Sequence, residues 1–126
     1  MLQDAPLYAY IPAMDMARAR RFYEEKVGLK AARETNGGVV YEFGKGTAAF
    51  LYSTPNAGTL QASQAFWSVT DVDREIEVLK ARGVVFKDYN MPGERSPTGA
   101  IIAGGAKAAW FKDSEGNIMA LIEDLS

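Results

Sequence analysis

The sequence predicts an α+β fold: two paired βαβββ modules forming a cupped mixed β-sheet with helices on the outside. Three observations carry this. Two amphipathic helical stretches, opening at Asp15 and Asp71, share one order of parts: strand, Asp, helix, Gly, strand. Each follows an alternating run, Leu7–Ile11 and Ala65–Val69. Each is succeeded by a further strand and a hairpin with glycine in its turn. One such unit buries too little alone, whereas two packed together share a core. The chain of 126 residues thus reads as a single domain, with module one at about 5–56 and module two at about 62–126.

In module one, Leu7, Ala9 and Ile11 share one strand face and Tyr8 and Tyr10 the other. A helix is predicted from Asp15 to about Lys26. Met16, Ala19, Phe22, Tyr23 and Val27 form its apolar stripe. Asp15 is the N-cap and Gly28 the stop. Arg18, Arg20, Arg21, Glu24 and Glu25 read as a solvated face, with Arg20–Glu24 and Arg21–Glu25 adding ~0.3 kcal/mol each. The strand Lys30–Glu34 follows, then a hairpin of Val39–Phe43 and Thr47–Ser53 around Gly44-Lys45-Gly46.

Module two repeats the plan. Its helix runs from Asp71 to about Arg82, with Val72, Ile76 and Leu79 inward and Gly83 at its end. The strand Val84–Tyr89 follows. The hairpin Ala108–Lys112 and Asn117–Glu123 turns at Asp113–Gly116, which lacks calcium-loop spacing and reads as a tight turn. The second copy is longer, and the extra residues fall most simply in a loop at Asn90–Ala106. Glycines and prolines at Gly93–Gly99 mark that loop as ordinary connection, and Gly104–Lys107 lacks the form of a phosphate loop.

The chain holds no histidine and no cysteine. This excludes zinc fingers, Ser-His-Asp triads, Cys-His pairs, disulfides and the two-His-one-carboxylate iron site. Apolar residues make up 48% and charged residues 24%, with a net charge of −2. No basic stripe suits a nucleic acid, and the uncharged stretch 46–70 is broken by Pro55, Asn56, Gly58 and Gln61, so no membrane span is expected. The N-terminus lacks a basic leader, and zero cysteines fit a cytoplasmic location.

Three phrases, Met14–Lys30, Phe66–Val84 and Ala108–Asp124, resemble the vicinal oxygen chelate superfamily, which groups glyoxalases, bleomycin resistance proteins and dioxygenases. The first is similar to that family's D-hydrophobic-x-x-A-x-x-F-Y helix, the third to its F-x-D-P-x-G-N hairpin with Ser114 in place of Pro. The resemblance implies metal ligands at the positions held here by Tyr8, Gln64 and Ala120, with another near Ala49–Leu51. No Asp or Glu occurs between Glu42 and Asp71. Of these only Gln64 could coordinate readily, and one amide does not hold a divalent cation. No metal or other cofactor is therefore expected. The resemblance also implies a homodimer with sites near the subunit interface.

Alternation places Gln64, Phe66 and Ser68 on the cup face of the second module, opposite Ala65, Trp67 and Val69. In the last strand Ile118, Ala120 and Ile122 face the cup, and Met119 and Leu121 the core. Phe50 pairs with Tyr52 and Trp110 with Lys112, and alternation alone leaves open which pair faces inward. The expected ligand-binding residues are Tyr8, Tyr10, Tyr52, Gln64, Phe66 and Trp110, around a small aromatic or hydrophobic molecule. Such a chain is expected to bind that molecule without metal. The alternatives are a metal-independent or atypical-metal lyase or isomerase, with Tyr8, Tyr10 or Glu42 for acid/base work, and an accessory module with no small ligand. Catalytic residues stay unassigned.

Overall fold

The computed structural model describes residues 1–126. After a short 3-10 turn at Leu2–Asp4, module one runs β1 (Tyr8–Ala13), α1 (Met16–Arg21), β2 (Ala31–Thr35), β3 (Gly38–Glu42) and β4 (Ala48–Ser53). Module two runs β5 (Ala65–Ser68), α2 (Val72–Ala81), β6 (Phe86–Lys87), β7 (Glu94–Arg95), β8 (Ile101–Ala103), β9 (Ala106–Lys112) and β10 (Ile118–Asp124). The predicted α+β class and repeated module are present. The expected loop at Asn90–Ala106 differs: β7 and β8 form a small hairpin that adds to the free edge of β9.

Local chemistry sets the helices. Asp15 and Asp71 are extended N-caps whose carboxylates accept the N–H of Arg18 and Arg74 at 3.0 and 3.1 Å. Gly28 and Gly83 stop the two helical segments at φ of +87° and +92°, angles that cost glycine least. Beyond Arg21 the first helix widens into a π turn over Phe22–Lys26. Arg20 reaches Glu24 at 2.7 Å and Glu34 at 2.8 Å, whereas the expected Arg21–Glu25 pair is not formed.

Each module builds its own sheet. The first has the order β1-β4-β3-β2, with β1 and β4 parallel. The second follows β5-β10-β9-β8-β7, with β5 and β10 parallel and β6 also pairing β9. β1 and β5 are edge strands and do not pair with each other. The inward faces of both sheets and both helices contribute to one core that includes Ile11, Tyr23, Leu51, Ile76, Phe111 and Met119. Phe111 is its hub: Trp67 stacks on it at 6.2 Å, with Phe86 at 5.5 Å and Phe22 at 6.2 Å.

The Asp113–Asn117 turn does more than reverse the chain, because it locks the modules together. Asp113 accepts the Tyr23 hydroxyl at 2.6 Å and three donors from its own turn. Glu115 accepts Arg18 Nε at 2.8 Å and the backbone N–H of Met14 and Asp15 at 2.9 Å each. Asn117 donates to the Pro12 carbonyl at 2.7 Å and accepts the Gly58 N–H at 3.1 Å. Burial alone would raise the Glu115 carboxyl, but Arg18, the Asp15 N–H and Ser114 outweigh it and hold it at about 2. Burial pushes the Tyr23 phenol well up, and Asp113 adds to this, so Tyr23 stays a neutral donor.

Candidate functional site

Because both inward faces are spent on the common core, the faces predicted to line the cup lie on the outer side of each sheet. Pairing resolves the undetermined pair on β4: Ala49 and Leu51 are buried, while Phe50 and Tyr52 share the outer face with Tyr10. In module two, Phe66, Ala120 and Trp110 stand in one row across β5, β10 and β9.

Module one carries an outer groove of about 320 Å³ lined by Tyr8, Tyr10, Arg33, Thr35, Val40 and Phe50. Tyr10 lies 4.6 Å from Tyr52 and 6.1 Å from Phe50, ring centre to ring centre. The Arg33 guanidinium donates to the Tyr8 hydroxyl at 3.5 Å. Tyr8 is 40% exposed and Tyr10 60%, high values for large aromatic rings on a sheet with a packed reverse face.

Of the six predicted residues, the structure thus brings three together: Tyr8, Tyr10 and Tyr52. Phe66 and Trp110 stand on the second sheet, flanking Ala120, which is buried although it lies on the outer face. Trp110 takes an edge contact from Tyr89 at 6.1 Å. Gln64 sits at the junction, its amide donating to the Tyr10 carbonyl at 3.1 Å. The groove beside Tyr8 takes no lining residue from module two, so one chain does not gather the six around one cavity. Glu42 is exposed.

A second cavity, about 540 Å³, lies along the seam between β1 and β5 on the core side. Its walls are small and apolar, including Ala9, Ala49 and Ala65, with Phe43, Trp67 and Lys45 at hand; of the predicted set only Phe66 reaches it. The outer groove has the denser mix of rings and hydrogen-bonding tips and is the better candidate site.

The donor set does not fit a metal. No three Asp or Glu side chains come together to hold one. Tyr8 and Ala120 stand where the family resemblance puts ligands, and the Gln64 amide is already engaged with backbone.

Sequence reasoning missed Arg33. It falls in a run, Ala31–Thr35, where four of five residues are exposed and a bulge breaks register between Ala31 and Arg33. Its alternation with Thr35 was the available signal.

Comparison with known proteins agrees with the architecture. The family model Glyoxalase/Bleomycin resistance protein/Dioxygenase superfamily matches residues 6–121. No curated protein matches the chain by sequence. Among solved structures, a glyoxalase family protein from Bacillus anthracis superposes with a TM-score of 0.72 at 16% identity, covering 96% of this chain and 95% of the other. TnmS3, an antibiotic binding protein from Streptomyces sp. CB03234, gives 0.68 at 23% identity, covering 96% and 98%. A glyoxalase/bleomycin resistance protein from the same strain gives 0.64 at 25% identity, covering 93% and 98%.

Proposed function

The chain belongs to the Glyoxalase/Bleomycin resistance protein/Dioxygenase superfamily, and from that premise we propose that it is a cytoplasmic small-molecule-binding member that holds a flat aromatic or hydrophobic compound without metal. The observation that carries this is the aromatic cluster on the outer face of module one, with Tyr8 and Tyr10 exposed and Phe50 and Tyr52 half-buried beside them, at a site whose family ligand positions hold no metal-binding set. Exposed rings with hydroxyl tips offer stacking area at little entropy cost and one or two orienting hydrogen bonds. That a relative of the same fold, TnmS3, is an antibiotic binding protein supports the same class of ligand.

The working unit is a homodimer in this reading. β1 and β5 each leave one edge unpaired, and Tyr8, Tyr10 and Phe66 stand exposed on the outer faces. A second copy that sets its β5-β10-β9 face opposite the β1-β4-β3 face would close a cup from Tyr8, Tyr10 and Tyr52 on one side and Phe66 and Trp110 on the other, covering both edges. The test is a thermal-unfolding screen against hydrophobic antibiotics, dyes and phenols, with light scattering for mass. A binder at 100 times its dissociation constant raises stability by about 2.7 kcal/mol. A monomer with flat responses across the panel contradicts the reading.

A further inference from the structure

We infer that the outer groove of module one selects aromatic molecules that carry an anionic group, with Arg33 as the residue that reads the charge. This rests on the binding role proposed above and names the ligand class for that same groove.

Four strands set the geometry. Arg33 pairs with Val40, Val40 with Phe50, and Phe50 with Tyr10, so all four stand in one row on one face. Three strand spacings separate the ends of the row, about 14 Å between backbones. Arg33 rises from one end, its guanidinium reaching over the row to the Tyr8 hydroxyl at 3.5 Å, and the tyrosines of β1 make an aromatic wall at the other, with Val40 and Phe50 as apolar floor. A fused-ring molecule lying on that floor against Tyr10 has the Arg33 guanidinium within reach of its edge.

Arg33 is free to take an anion. It is exposed and belongs to none of the ion pairs in the structure. The adjacent carboxylate, Glu34, lies on the opposite face and is held by Arg20 at 2.8 Å. Glu42, the acidic strand residue sharing the outer face, makes no ion pair with it. Its one side-chain bond is the long 3.5 Å contact to Tyr8, so most of its five N–H donors remain available for a carboxylate, sulfonate or phenolate. In the dimer proposed above, the facing sheet would add the same sign: Lys87 and Lys112 share the outer face of module two with Trp110 and form no ion pair. An acidic chain thus carries unneutralised cations on both aromatic outer faces.

The test compares 2-naphthoate with its neutral isostere 2-naphthamide by calorimetric titration of the full chain at low salt. Wild type is expected to bind the naphthoate about tenfold more tightly, with the difference shrinking toward parity in 0.5 M NaCl. Arg33→Gln should weaken naphthoate far more than naphthamide and so erase the preference, and Arg33→Lys should keep part of it. Equal affinity for the two compounds in wild type, with both weakened by Tyr10→Ala, overturns the charge selection and leaves the aromatic site standing. A preference that survives Arg33→Gln overturns the role given to Arg33. Binding of neither compound overturns the inference together with the reading beneath it.

Discussion

The Tyr23 hydroxyl donates to Asp113 at 2.6 Å across the boundary between the two modules, with both residues buried. The bond ties the π turn that follows α1 to the second hairpin, and it shows what the Phe-x-Asp-x-x-Gly-Asn phrase at 111–117 does in this chain. It is a latch that fixes how the sheets sit on their common core.

Removing the phenol tests the latch. Tyr23→Phe keeps the ring but leaves a buried carboxylate one donor short. The expected cost is about 1–3 kcal/mol, read as a lower urea midpoint at unchanged slope. Phe111→Ala, which empties the hub of the core, should cost more, about 3–5 kcal/mol.

Two carboxylates give the fold an acid limit. Burial would raise Asp73, but Ser96, Thr98 and Lys107 hold it at about 2, and Glu115 is likewise held at about 2. Both lie below their unfolded values, so their stabilisation is complete above about pH 5 and is lost as pH falls toward 2. Each contributes on the order of 2 kcal/mol. Urea midpoints should fall steeply from pH 5 to pH 2 in wild type. Glu115→Gln should be less stable at pH 7 and show a shallower decline.

The β7–β8 hairpin hangs on the same Asp73. Ser96 donates to it at 2.5 Å and Lys107 at 2.9 Å, and Thr98 donates as well; Ser96 Oγ also accepts the Ala100 N–H at 3.0 Å. Asp73→Asn keeps the volume and loses the charge. Amide exchange at 94–103 should quicken markedly while the core strands β4 and β10 change little. Uniform protection across the chain would contradict a local pin.

Much of this was legible in the sequence because neighbouring residues decide it. Alternation put Ile11 and Tyr10 on opposite faces, and Met119 and Ala120 likewise although both are buried, and the caps at Asp15 and Asp71 and the stops at Gly28 and Gly83 follow from short-range chemistry. Long-range geometry did not show. Asp113 and Glu115 read as turn residues, since their partners Tyr23 and Arg18 lie in the other module. β8 is three residues long and owes its existence to the edge of β9. The six predicted binding residues divide between two outer faces, because the packing of helix-bearing faces on each other is fixed by the core and leaves no local mark.

Tyr10 tests the site without testing the fold. At 60% exposure its truncation to Ala should change stability by no more than about 0.5 kcal/mol. Fluorescence titration of metal-stripped protein with the neutral probe N-phenyl-1-naphthylamine reads the central claim most directly. Saturable binding that is indifferent to added zinc or manganese, and weakened about tenfold or more by Tyr10→Ala, is the predicted result. Binding that requires the metal, or that ignores the loss of Tyr10, contradicts it.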